Sequence, residues 1–172
     1  AYLLEFMDDT LKTSDQVERA LALPIIGSVP KSSAGKNREP ALLTDSRSPT
    51  AEAFRTLRTN LYWAHLDAAQ RILLFTSAAP LEGKTTTLAN LAVALASAGY
   101  RVIAVDADLH RPELHRFFKL KNDIGLTTAL HDDRQPIENW LQETGIPGLQ
   151  LLTSGPSPSH PAELLGAARM RG

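Results

Sequence analysis

Gly83, Lys84 and Thr85 end the loop "TSAAPLEGKT", which stands between the apolar run "RILLF" and the helical pattern "TTTLANLAVALASAG". That order matters chemically. At a helix start several backbone N–H groups lack a partner within the helix, so they present partial positive charge to an anion. The amides of Glu82, Gly83, Lys84, Thr85 and Thr86 can surround the α- and β-phosphates of a nucleotide. Lys84 can reach the β/γ bridge, where charge builds as the γ-phosphoryl leaves, and Thr85 offers a hydroxyl to Mg²⁺. Pro80 has no N–H to give. The Glu82 carboxylate would be repelled by a triphosphate and is expected in solvent. Two positions depart from the usual pattern: Ala78 stands at the first glycine, and Leu81 stands where a small residue lets the amides turn inward.

A second acidic element follows at once. The apolar run "RVIAV" leads into "DADLHRP", so Asp106 and Asp108 emerge at the carboxyl end of a strand beside the loop, where open parallel sheets bind ligands. Two carboxylates there would face bound Mg²⁺. The favoured division puts Asp106 near the metal and Asp108 nearer an acceptor hydroxyl, which makes Lys84, Asp106 and Asp108 the candidate catalytic groups. Arg111 stays open between anchoring this loop and simple solvation. His65, His110, His115, His131 and His160 have no zinc-ligand spacing and are expected at the surface, while Trp63 and Trp140 are expected to pack helices.

The elements that must hold these groups are legible in outline. "RILLF" (71–75), the helix 85–97 and "RVIAV" (101–105) read as a βαβ unit with a parallel pair, stopped by Gly99. Thr13 and Gln16 have capping-box spacing for a helix over 14–22, and "PIIGSVP" follows as a strand. Residues 31–47 are polar and aperiodic and read as a flexible surface connection. Ser48 and Pro49 cap a helix whose buried side carries Phe54, Leu57 and Leu61. Pro112 starts a short helix, "IENWLQET" reads as another, "LQLLTSG" as a third core strand and "HPAELLGAARM" as a last helix. The organisation is 1–30, an N-terminal helix and strand; 31–47, the connection; and 48–172, a phosphate-loop core.

With 172 residues, 18 Lys plus Arg against 19 Asp plus Glu and no cysteine, the chain holds one domain without disulfides or thiolate metal sites. A formal charge of −1 gives no general reason to expect nucleic acid as a partner. No run is long and apolar enough for a membrane span.

Four segments in this order, "AEAFRTLRTNL", the phosphate loop with its helix, "RVIAVDADLHRP" and "LLTSGPSPSHPAELL", resemble the cytoplasmic kinase domain of bacterial tyrosine kinases. These are P-loop proteins coupled to capsular and exopolysaccharide export. The resemblance covers nearly the whole chain; its opening is similar to the link that follows the second membrane span of a chain-length-determining co-polymerase. It implies an α/β P-loop NTPase fold with a mostly parallel sheet flanked by helices. It also implies ATP and Mg²⁺ as cofactors and a tyrosine autokinase on the cytoplasmic side of the bacterial inner membrane. Lys84 and Thr85 match the family's loop, and Asp106 and Asp108 its second motif. Glu52, Arg55 and Arg58 match an E-x-x-R-x-x-R helix implicated in self-association. The acceptor implied is the tyrosine-rich tail of a neighbouring subunit, and the further partner is the membrane co-polymerase.

The family's third metal-binding motif, an aspartate ending an apolar strand, is expected after residue 172, so the sheet is expected to be truncated. Tyr2, Tyr62 and Tyr100 form no cluster. Two rivals stay open. A ParA/MinD-like ATPase would use water as acceptor, but carries a second lysine where this chain has Ala79. A non-catalytic module would only regulate a polysaccharide assembly complex.

Overall fold

The run 84–96 is apolar on nearly every side, which suits a helix enclosed by other elements rather than one lying on a surface. In the computed structural model, which describes residues 13–30, 39–63, 72–132, 134–166 and 170, it occupies that place. Helix α1 is Ser14–Leu21, α2 Ala41–Thr44, α3 Pro49–Trp63 and α4 Lys84–Ala96. Strand β1 (Val102–Val105), α5 (Leu114–Phe117) and α6 (Leu126–His131) follow. A 3-10 turn at Ile137–Trp140, β2 (Gln142–Glu143), β3 (Leu149–Leu152) and α7 (Pro161–Gly166) complete the order.

The sheet runs β1-β3-β2. β1 and β3 are parallel, with Val102 opposite Leu149 and Val105 opposite Leu152, whereas β2 pairs antiparallel to β3. The fold is therefore an α/β P-loop NTPase type with a mixed sheet flanked by helices. The small side chains of Ala89, Ala92 and Ala96 let α4 lie closely on Ala104, Leu149 and Leu151, and Leu114, Phe117 and Phe118 close that core. The other side of α4 packs through Leu91 and Ala94 on Phe54 and Leu57 of α3. A third cluster of Leu109, Leu126 and Leu152 lies behind β3, with Trp140, Leu141 and Leu164 around it.

Several expectations hold in detail. The Thr13/Gln16 box caps α1, Ser48 Oγ accepts from the Ala51 N–H at 3.1 Å at the start of α3, and Gly99 ends α4 at φ +91°. Others are corrected. Residues 24–30 and 72–75 pair with no strand: Ile72 and Leu74 are 91% and 90% exposed, and only Phe75 turns inward, onto the α3–α4 cluster. An apolar run specifies what can be buried, but a strand also needs a neighbouring ladder, and among the described residues none adjoins these runs. β1 likewise keeps one face open at Ile103 and Val105.

The 31–47 connection contains α2, whose Leu42 packs against both the α4–sheet core and the α3–α4 cluster. "IENWLQET" divides into the 3-10 turn and β2. Trp140 packs as expected, but Trp63 is 75% exposed at the end of α3, edge-on to Tyr62. His131 is exposed as expected, whereas His115 is half-buried. Tyr2, His65, Arg71 and residues 31–38 lie outside the described residues. So do 167–169 of the expected last helix.

Asn90 was missed by periodicity, being polar in an apolar helix. Its Oδ1 accepts from the Ala41 N–H at 2.7 Å, and its Nδ2 donates to the Thr86 carbonyl at 2.9 Å. It thereby ties the start of α2 to α4. Asn90→Ala leaves the Ala41 N–H without its acceptor, and the unfolding free energy is expected to fall by about 2 kcal/mol at unchanged urea m-value. A loss below about 0.5 kcal/mol would mean that water replaces this bond freely.

Candidate functional site

The phosphate-loop expectation depends on the entry to α4. Gly83 stands at the N-cap with φ +90°, a conformation suited to glycine, and no side chain caps the helix. The first-turn amides therefore remain available to an outside acceptor, as a polyphosphate requires. Leu81 also has positive φ, +67°, which costs an ordinary residue about 1 kcal/mol. Its side chain is 97% exposed, pointing away from the loop interior. Glu82 is exposed too, yet its carboxylate folds back to accept the Ala79 N–H at 3.0 Å. Thr85 is half-exposed and Thr86 exposed, on the first turn of α4.

The structure brings Lys84 and Asp108 together. Lys84 Nζ lies 2.7 Å from Asp108 Oδ2, with both side chains about 30% exposed (29% and 31%). Asp108 Oδ1 accepts the Arg111 N–H at 3.0 Å. Burial alone would raise the Asp108 pKa, but the hydrogen bond and charge of Lys84, with the Arg111 N–H, hold it below the usual carboxylate range.

Asp106 occupies a different environment. It is 5% exposed, and its Oδ1 accepts from the Asp108 N–H at 3.2 Å. Its Oδ2 accepts from the N–H groups of Glu113 and Leu114 at 3.1 and 2.9 Å. Burial pushes its carboxyl up, assisted by the charge of Asp108 and only partly offset by these N–H bonds. Asp106 therefore supplies the cap that Glu113, at the N-cap of α5, does not give with its own side chain. Sequence reasoning overlooked this role; the signal was a helix start behind Pro112 without Ser, Thr, Asp or Asn at its N-cap. Contact with a metal would require Asp106 to exchange one of these bonds. Among the described residues no group of three or more His, Asp or Glu is placed to hold a metal ion.

The third predicted group is divided. Glu52 is exposed and pairs with Arg55 at 3.0 Å, whereas Arg58 Nη1 donates to the Ala94 carbonyl at 3.2 Å. Arg58 thus turns toward α4 and leaves Glu52 and Arg55 as the outward pair. Arg111 is exposed and joins the site through its backbone.

The profile of the CobQ/CobB/MinD/ParA nucleotide binding domain matches residues 81–170, from the phosphate loop through the last helix. The BceF tyrosine kinase domain superposes with a TM-score of 0.80 at 34% identity, over 93% of this chain and 69% of that one. This chain belongs to the bacterial P-loop tyrosine kinases. A second such kinase domain, that of Escherichia coli ETK, gives a TM-score of 0.83 at 30% identity over 92% of this chain and 65% of its own. Tyrosine-protein kinase YwqD of Bacillus subtilis is 43% identical over 129 residues, or 75% of this chain. The chain spans 54% of the length of YwqD.

The two carboxylates of this chain should titrate apart. In a carboxyl-carbon NMR titration Asp108 is expected to lose its proton first as pH rises, and Asp106 after it. Asp108, lowered on folding, contributes stability above its unfolded pKa that is lost as pH falls through the folded value. Asp106, raised on folding, has the opposite sign: its contribution is complete below the unfolded pKa and is lost as pH rises through the folded one. Lys84→Met should move the Asp108 midpoint upward. An unmoved midpoint would mean that the ion pair does not form in solution.

Proposed function

We propose that this chain is the nucleotide-binding part of an ATP-dependent protein tyrosine autokinase serving capsular or exopolysaccharide synthesis and export. The single observation that carries the reading is the Lys84–Asp108 contact, which joins the phosphate loop to the acidic loop at the carboxyl end of β1. YwqD and ETK, named as tyrosine kinases, support it. The acceptor proposed is a tyrosine-bearing tail presented by a neighbouring subunit. The membrane co-polymerase is the proposed anchor, on the cytoplasmic face of the inner membrane; among the described residues no helix is long and apolar enough to cross a membrane.

The residues divide the work by position. Amides of Glu82, Gly83, Lys84, Thr85 and Thr86 cradle the phosphates, and Lys84 leaves Asp108 to meet charge developing at the β/γ bridge. Asp108, once released, faces the acceptor. A phenol of pKa about 10 is too weak an acid to ionise fully onto a carboxylate, so proton transfer must accompany bond formation to phosphorus. Mg²⁺ bound with ATP would neutralise the β- and γ-phosphate oxygens, and Thr85 and Asp106 are the groups proposed to hold it. Hydrolysis by a partitioning-type ATPase would use the same loop, but Ala79 stands in place of that class's second lysine.

Two experiments on the full-length protein follow. Lys84→Met is expected to weaken Mg-ATP binding in calorimetry and abolish phosphotyrosine formation. Asp108→Asn should lower phosphotyrosine formation by at least about tenfold while Mg-ATP affinity falls less, the signature of an interaction made mainly in the transition state. Phosphate release without phosphotyrosine in wild type would replace the kinase by the ATPase. For self-association, Arg55→Glu is the informative change because Arg58 also supports α4. It should shift light-scattering mass toward monomer with unchanged circular dichroism; unchanged mass would return this helix face to ordinary solvation.

A further inference from the structure

Pro80 and Leu81 make the corner of the phosphate loop. Proline fixes φ near the value that the second residue of a type II turn needs, and the residue after it must then take a positive φ, where glycine or asparagine is the ordinary choice. Here that residue is Leu81, at φ +67°. Gly83 follows at φ +90°, and Glu82 between them keeps the ordinary negative hand. Such alternation brings consecutive N–H groups to one side of the chain as an anion-binding concavity. The concavity thus depends on a leucine held in a conformation that it disfavours, which persists only where its surroundings impose it.

Two side chains of the loop converge on Ala79, the first residue of this turn. Ser77 Oγ donates to the Ala79 carbonyl at 3.0 Å, and Glu82 Oε2 accepts the Ala79 N–H at 3.0 Å. The second bond joins residues 79 and 82, the two ends of the turn, through a side chain. Among the described residues no bond runs from the Glu82 N–H to the Ala79 carbonyl, the usual closure of such a turn. A carboxylate makes the closure instead, and a hydroxyl supplies the carbonyl with its donor, so the Glu82 N–H is left for an outside acceptor. The same bond keeps a carboxylate that polyphosphate would repel on a donor of its own.

We propose that Glu82, assisted by Ser77, is a positioning residue of the nucleotide site: its carboxylate clamps the turn from Ala79 to Glu82, holds Leu81 at positive φ, and so keeps the Glu82 and Gly83 N–H groups presented to the β-phosphate of a nucleoside di- or triphosphate. The proposal rests on the phosphate-loop reading and is independent of what accepts the γ-phosphoryl group. The clamp needs an acceptor oxygen, not a charge. Glutamine carries a side-chain carbonyl at the same reach and can replace the glutamate, whereas alanine cannot. Glycine at position 81 removes the need for the clamp, since it enters positive φ without steric cost.

The test is calorimetry of Mg-ADP with the full-length protein, together with KM and kcat for Mg-ATP. Glu82→Ala should raise the Mg-ADP Kd and the Mg-ATP KM by at least about fivefold and change kcat less than about twofold, because the cradle holds the phosphates in ground and transition states alike. Glu82→Gln should recover most of that loss. In a Leu81→Gly background Glu82→Ala should raise Kd less than about twofold, since the two positions act through one turn. Should Glu82→Ala not fold, Ser77→Ala takes its place and should raise Kd in the same sense. Tighter Mg-ADP binding by both Glu82 variants would assign the carboxylate to repulsion alone and overturn the clamp, as would equal affinity of wild type and Glu82→Ala. Wild type that binds no Mg-ADP would overturn the nucleotide reading itself, and this proposal with it.

Discussion

A buried carboxylate at the end of β1 fixes the geometry on which the site depends. The Asp106 N–H still belongs to the sheet, donating to the Leu152 carbonyl at 2.9 Å, so the backbone there cannot slide. Its oxygens meanwhile gather the N–H groups of Asp108, Glu113 and Leu114. Removing a charge from water is costly, and the raised pKa shows that the three bonds do not fully offset the cost. What is gained is shape. The chain from 106 to 114 becomes a closed loop held at its base, and that closure turns Asp108 toward Lys84.

Lys84 is positioned by different physics. Its backbone opens α4, and α4 is located by alanines packed against β1 and β3 on one side and by Leu91 and Ala94 on α3 on the other. The core therefore sets where the lysine starts, while the loop before it is exposed and carries an ordinary residue, Leu81, at positive φ. Strain in an exposed loop survives only when its two ends are held elsewhere. Here Phe75 anchors the entry in the α3–α4 cluster, and the helix anchors the exit. A rigid base with a strained, solvent-facing crest suits a loop that must close around a charged ligand.

Elements defined by local rules were legible in the sequence, and those defined by partners were not. Capping at Thr13 and Ser48, the stop at Gly99 and the enclosed character of α4 follow from residues a few positions apart. The runs 24–30 and 71–75 looked equally clear, yet apolar content names a potential for burial and not the ladder that would use it. Helix α2 hid in a polar stretch because its place depends on Leu42 entering two clusters and on Asn90, 49 residues away, accepting its first N–H. In the site, the types and spacing of Lys84, Asp106 and Asp108 were readable. Their division was not, because whether an aspartate serves as cap or counter-ion is decided by the backbone that folds around it.

The alternation along 106–109 shows how one short loop serves two surfaces. Asp106 turns inward to N–H groups, Asp108 turns outward to Lys84, and Leu109 turns back under the third hydrophobic cluster. A shift of the backbone at 108 must therefore either open the cluster of Leu109, Leu126 and Leu152 or stretch the bonds to Asp106. Packed interiors resist both, since they respond to displacement by loss of contact rather than by smooth deformation. The carboxylate beside the phosphate loop and the third hydrophobic cluster are thus held by adjacent residues of one main-chain segment.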